Sequence, residues 1–491
     1  MRLLLTGGVL GLGAGAGWPS VQAAGPGPQA NETPQAAPAG GGAIPYTDVN
    51  HYGANIFLHK EVEQVKIERT LQMAKDGGLT MLKQQFPWDE IEFKKGYFHD
   101  DKWDKDAWAK FDNIVAAAEK VGVTLVARID HAPIWARLEG SGSGDAPKDA
   151  NDLADFVAAF LQHYQGRIKY LQIWNEPNLH YEWADNGKVD PAAYTALLKT
   201  VYTRAKATDP TVAILSAPMA ITLEDWPKDD PQYRRNLSEL VYWDEMYAAG
   251  AKDYFDLMSA NAYGLDQPPE AAPAPTVLNF RRVELLHDVM VRHGDANKAV
   301  WFNEYGWNAS PTTLSQEQQL RWRRVDTATQ AGWTVDGIAY ANTHWPWAGV
   351  FFIWYLRQVG DIPPDNAEYY FQMVDPDFNP QPIYTTVQQR ALSAPPAQAS
   401  ATPLAVATAP VAPATAVPPT AVPVATEAAP PAAATATAPP EVITLTPVDQ
   451  PTPGPGAAGS ESSPLVPALL FGGLALAALA AGAFMFMRNR R

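Results

Sequence analysis

The sequence predicts a single (β/α)8 barrel, the TIM-barrel fold, and three observations carry that expectation. Eight short apolar runs of strand length alternate with longer amphipathic stretches of helical period between about Tyr46 and Leu392. The apolar runs are nearly continuous rather than alternating, as strands buried on both faces should be. Two of them lead into the pair Asn-Glu, at Asn175-Glu176 and Asn303-Glu304, and then break. A buried strand that stops on a carboxylate is a costly way to build stability, because a desolvated charge needs a partner.

The predicted strands are Tyr52–Phe57, Thr80–Gln85, Thr124–Ile129, Tyr170–Trp174, Val212–Ser216, Phe255–Ala260, Ala299–Phe302 and Gly349–Trp354. The first helix, Val62–Lys75, sets Val65, Ile67, Leu71 and Met73 along its length, and the second, Asp106–Val121, sets Trp108, Phe111, Ile114 and Val115. Leu153–Tyr164, Ala192–Ala207, Leu237–Ala249, Val277–His293 and Glu317–Ala331 continue the alternation. In such a barrel every strand C-terminus lies on one rim, where catalytic side chains gather. Glu176 then follows the fourth strand and Glu304 the seventh. Two carboxylates aimed at one pocket are the equipment of glycoside hydrolysis.

The ends of the chain read differently. Arg2 precedes an apolar stretch, Leu3 to Gly17, and Val21-Gln22-Ala23 resembles a small-residue cleavage site, so residues 1–23 are expected to be a signal peptide. Residues 24–44 are a Gly-, Pro- and Ala-rich flexible lead-in, and 45–392 the barrel. Residues 393–463 form a Pro-, Ala- and Thr-rich linker, expected to be disordered or extended. Leu465 to Met487 carries no charge and is long enough for one transmembrane helix. The basic stub 488–491 after it places that end in the cytoplasm. The expected arrangement is an exported catalytic body anchored in the cell membrane by a C-terminal single pass.

Net charge is −16, which argues against nucleic acid as a partner and fits a neutral polymer. There is no Cys, which excludes disulfides, thiolate catalysis and Cys-based metal sites. No His-Glu-x-x-His helix, phosphate loop or Gly-x-Ser-x-Gly elbow is present.

From Tyr52 to Tyr384 the chain resembles the retaining glycoside hydrolases of clan A, family 39 first and family 5 next. Trp174-Asn175-Glu176-Pro177 is similar to the clan's fourth-strand motif, and Phe302-Asn303-Glu304-Tyr305-Gly306 to its seventh-strand motif. Gln85-Phe86-Pro87-Trp88-Asp89-Glu90-Ile91-Glu92, followed by Gly96-Tyr97, is similar to the segment after the second strand, with Phe93 where Pro is more usual. The resemblance implies Glu176 as acid/base, Glu304 as nucleophile, and Asn175 as a ligand of the sugar 2-hydroxyl. It implies that the Tyr263 hydroxyl holds the nucleophile and that Trp354 is a platform under the sugar. Asn261 departs from the His usual there, and its role stays open. Lys83 stands where the clan often has Arg, and the two are not interchangeable in bidentate contacts. Trp88, Trp135, His131 and Trp307 fall on rim loops and are candidate sugar contacts, and Asn303 is assigned nothing. The mechanism calls for no metal or organic cofactor, and the catalytic domain is expected to be monomeric, with an oligo- or polysaccharide as its partner. Two alternatives stand beside hydrolysis: a non-catalytic surface carbohydrate-binding or adhesive protein on a barrel scaffold, and a wall-remodelling transglycosylase using the same two Glu.

Overall fold

Eight parallel strands form one sheet in the computed structural model: β1 (Tyr52–Ile56), β2 (Met81–Pro87), β3 (Thr124–Asp130), β4 (Tyr170–Ile173), β5 (Ala213–Leu215), β6 (Met258–Tyr263), β7 (Val300–Gly306) and β8 (Ala348–Ile353). They pair in the order β5-β4-β3-β2-β1-β8-β7-β6. A parallel bridge between Leu215 and Leu257 and a 2.8 Å bond from Asp256 N to the Ile214 carbonyl join the two ends, so the barrel is nearly closed. Every residue of β1, β7 and β8 is buried, which accounts for their near-continuous apolar sequence.

The structure describes residues 43–183 and 187–393. The segments read as signal peptide, linker, transmembrane span and basic stub lie outside the described residues, apart from Ser393, which ends a helix rather than starting the linker. Among the described residues no helix is long and apolar enough to cross a membrane. All of them belong to one unit of the chain; the other, Ser400–Gly473, lies outside them.

Eight longer helices follow the strands: α1 (Gln64–Asp76), α2 (Ala109–Val121), α3 (Ala150–Tyr164), α4 (Pro191–Thr208), α5 (Glu239–Ala248), α6 (Val283–Arg292), α7 (Thr327–His344) and α8 (Pro382–Ser393). Their starts are written locally. Asp149, Ser238 and Asp326 accept backbone N–H bonds at the heads of α3, α5 and α7, and Asp190 caps α4 with Pro191 in its first turn. Gly122 ends α2 at φ +74°, a conformation that glycine adopts without strain.

Three expected elements differ. The helix Glu317–Ala331 is two pieces, Gln316–Arg321 and α7. The chain turns out at Arg323, φ +45°, and Asp326 then starts a new helix. The sixth strand runs later than Phe255–Ala260, because Asp256 is taken up in closing the barrel and the polar residues Asn261 and Tyr263 continue the ladder. The seventh extends through Gly306, so Glu304 lies inside β7 rather than after it. The helix α8 has no counterpart in the sequence reading; it packs against α7, and its Tyr384 hydroxyl bonds the Met73 carbonyl on α1 at 2.9 Å.

One register feature positions the site. Ala260 pairs with Phe302, but Asn261 pairs with Glu304, so β7 carries one extra residue, Asn303, against β6. The β7–β8 ladder slips at the same place. Neighbours on a straight strand face opposite ways. A bulge cancels that alternation locally and re-aims a side chain, and here Asn303 and Glu304 both reach groups on neighbouring strands.

Candidate active site

Glu176 and Glu304 meet across the mouth of the barrel. The Asn261 amide on β6 donates to Glu176 Oε1 at 2.7 Å and lies 3.5 Å from Glu304 Oε2. The two carboxylate oxygens can therefore be no farther apart than the sum of those distances. The bound holds for that one pair of oxygens, and it admits the carboxyl separation of about 5–5.5 Å that retaining pairs use.

Each glutamate is placed by a distortion of its strand. Trp174 and Glu176 both have positive φ, +72° and +38°, uncommon for residues other than glycine. The chain thus bends where Asn175-Glu176-Pro177 requires it, and Glu176 N donates to the Pro218 carbonyl at 3.0 Å. Glu304 sits beside the β7 bulge. The Tyr263 hydroxyl donates to Glu304 Oε2 at 3.0 Å, and Lys83 Nζ stands 3.9 Å from Oε1. Lys83 also donates to Asn303 Oδ1 at 2.7 Å, and Asn303 Nδ2 to Asn261 Oδ1 at 3.3 Å. Asn55 on β1 holds the Asn303 and Phe352 carbonyls at 3.0 and 3.2 Å, pinning the bulge from the other side.

The charges are unequal. Burial, with the charges of Glu304 and Glu182 added, pushes Glu176 well above the usual carboxyl range and so favours its protonated form. Burial pulls Lys83 down to about 7 against the opposing attraction of Glu304. Burial and Glu304 raise the Tyr263 hydroxyl well above its ordinary value, which keeps it a donor. Glu182 and Glu368 are both raised to about 7, by burial first; the charge of Glu304 adds to each.

The other expected site residues divide. Trp354 is half-buried at the end of β8, edge-on to Phe57 at 5.5 Å, in a rim cluster that includes Tyr263, Tyr355, Phe371 and Trp322. Asn175 is 4% exposed and makes no side-chain hydrogen bond to either carboxylate; its Oδ1 is buried without a partner. Trp88 does not serve a sugar. It is wholly buried, stacked on Phe156 and bonded through Nε1 to Glu92 Oε2 at 2.6 Å. Trp135 packs edge-on against Trp88 and donates to the Glu92 carbonyl at 3.0 Å, so it ties two loops together. Trp307 is also core: it sits over Gly264, where a Cβ would come within 1.9 Å of its ring. His131, at φ +61°, uses its carbonyl to hold Asp89 N at 2.9 Å.

The sequence reading missed Glu182, Glu368 and the use of Asn303. Glu182 was within reach, since it follows Glu176 in the same post-strand segment. Glu368 lies beyond the last strand in a short helical turn, Ala367–Phe371, with no motif to mark it.

No protein-family model matches the chain, and no curated protein does. Among solved structures the chain is similar to a family 39 glycoside hydrolase from the gut symbiont Bacteroides cellulosilyticus WH2. The identity is 20% and the TM-score 0.50, over 70% of this chain and 63% of that one, so the chain spans under two thirds of that protein's length. It is also similar to a monomeric beta-xylosidase from Caulobacter crescentus CB15, at 16% identity and TM-score 0.48, over 70% of this chain and 67% of that one. A third similar structure is the GH39 enzyme from Xanthomonas axonopodis pv. citri, at 15% identity and TM-score 0.49, covering 72% and 67%. The barrel read from the sequence is the observed fold, and in that fold the chain resembles a family 39 glycoside hydrolase.

Proposed function

We propose that this chain is a retaining glycosidase that hydrolyses O-glycosidic bonds of a β-linked oligo- or polysaccharide. The observation that carries the reading is the single Asn261 amide within reach of both carboxylates, which brings one oxygen of each to a shared donor. In the first step a Glu304 oxygen attacks the anomeric carbon, the bond to the leaving oxygen breaks, and Glu176 gives that oxygen its proton. The amide occupies Glu176 Oε1, and Oε2 accepts no hydrogen bond among the described residues, so Oε2 is the atom that carries the proton. Esterification removes the charge of Glu304, and with it the repulsion that adds to burial in favouring the protonated Glu176. Glu176 then takes a proton from water, the water oxygen bonds the anomeric carbon, and the ester bond to Glu304 breaks.

Tyr263 and Lys83 stabilise the Glu304 carboxylate as it departs, and Asn175 holds the sugar 2-hydroxyl. Trp354 packs on the C–H face of the sugar. The proposal includes export and a membrane tether, which rest on the apolar stretch after Arg2 and on the uncharged run Leu465 to Met487. A panel of aryl β-glycosides given to the full chain tests the activity. Steady release of the aryl alcohol from at least one member is expected; binding of saccharides without any release would favour the carbohydrate-binding alternative.

A further inference from the structure

The two asparagines and the lysine beneath the glutamates form a directed chain of donors. Lys83 Nζ donates to Asn303 Oδ1 at 2.7 Å, Asn303 Nδ2 to Asn261 Oδ1 at 3.3 Å, and Asn261 Nδ2 to Glu176 Oε1 at 2.7 Å. It crosses the barrel from β2 through β7 and β6 to the end of β4. Its polarity is forced from one end. In its ammonium form Lys83 Nζ only donates, so the Asn303 atom facing it is the oxygen. The Asn303 amide nitrogen must then face an acceptor, which is the Asn261 oxygen, and that leaves the Asn261 nitrogen for Glu176. Aligned bonds of this kind polarise one another in a buried setting.

We propose that Lys83 and Asn303 are positioning residues that, through Asn261, fix a donor on one oxygen of the acid/base Glu176 and so ease its return to the carboxylate in the second step. The inference rests on Glu176 having that role. It gives Asn303 a use, explains the β7 bulge that turns Asn303 inward, and accounts for Asn at 261. An amide held this way cannot titrate, so it delivers its hydrogen at every pH.

Other charged and titratable groups also face Glu176: Glu304 on β7, Glu182 after β4, Arg128 on β3 and Lys83 on β2, with the Tyr181 and Tyr263 hydroxyls. Removing a neutral link changes none of these charges. Asn303→Ala, Asn261→Ala and the double variant of the full chain should therefore be compared by the pH dependence of kcat/KM on the aryl glycoside that the wild type cleaves fastest with a poor leaving group. A hydrogen bond to the carboxylate favours the ionised form, so its loss holds the proton on longer. The alkaline limb is expected to move up by roughly 0.5–1 pH unit in either single variant, about the effect of one hydrogen bond. The double variant should move no further than Asn261→Ala alone, because both changes cut one path.

The limb belongs to Glu176 if it fades with a dinitrophenyl leaving group, and to Lys83 if it is unchanged there. An unshifted limb in both single variants, shifts that simply add, or a limb belonging to Lys83 would overturn the proposal. If Asn303→Ala fails to fold, Asn303→Ser keeps a small polar group in the bulge and is read the same way. The underlying reading fails separately, through full activity of Glu176→Ala on poor leaving groups.

Discussion

Replacing Glu304 by Ala should lower turnover of every substrate the wild type cleaves by roughly 10,000-fold or more, on the scale seen when a covalent nucleophile is removed. The side chain is 9% exposed and is approached by Tyr263, Asn261 and Lys83. Among the described residues no second carboxylate shares that set of contacts, so none of them replaces the attacking oxygen. The truncation leaves a polar cavity next to the anomeric carbon, facing a Tyr263 hydroxyl that has lost its acceptor, with Asn261 and Lys83 beside it still bonded to Glu176 and Asn303. A small anion should enter it. Azide is expected to restore turnover of substrates with good leaving groups and to yield a glycosyl azide of inverted configuration, because only one displacement then occurs. Steady-state release of nitrophenol, with and without azide, measures both effects. Thermal melting checks the fold, because a buried hydroxyl left without its acceptor costs stability. Undiminished turnover of Glu304→Ala would remove the two-carboxylate mechanism.

Glu176→Ala should behave in a different way, and the difference separates the two roles. With a poor leaving group the first step needs the proton, and kcat/KM should fall roughly 100- to 10,000-fold, the usual contribution of a general acid. With a dinitrophenyl leaving group the first step should be nearly spared, while the second step slows for want of a base. The glycosyl-enzyme should then accumulate and show as a burst. The pH profile follows from the same group. Glu176 is raised by burial and by its charged neighbours, so the wild type should lose activity toward poor leaving groups as pH rises through that raised value. Glu176→Ala should lack that limb. Equal losses on good and poor leaving groups would contradict the assignment.

Much of this was legible in the sequence because it was written locally. Continuous apolar runs marked the buried strands, and amphipathic stretches such as Leu153–Tyr164 and Ala192–Ala207 marked the helices α3 and α4. The pair Asn175-Glu176 before Pro177 announced a strand that ends at a bend, which appears as positive φ at Trp174 and Glu176. The aromatic residues were less legible. Trp88 and Trp354 both follow strands on the same rim, yet one is sealed in the core against Phe156 and the other lines the mouth. A ring's sequence context does not say which neighbour covers it. The donor chain was not legible at all, because it depends on one extra residue in β7 relative to β6, and register between strands so far apart in sequence is a property of the closed barrel. Asn303 shares the local pattern of Asn175 but serves a different neighbour for that reason.

The spacing of the two glutamates makes a claim about stereochemistry, and proton NMR of the product formed first from a β-glycoside tests it most directly. With one oxygen of each carboxylate on the shared Asn261 amide and Glu304 as the nucleophile, two successive displacements should give the β-anomer first, with the α-anomer appearing later by mutarotation. An α-anomer formed first would mean that water attacks directly, and would contradict Glu304 as a nucleophile.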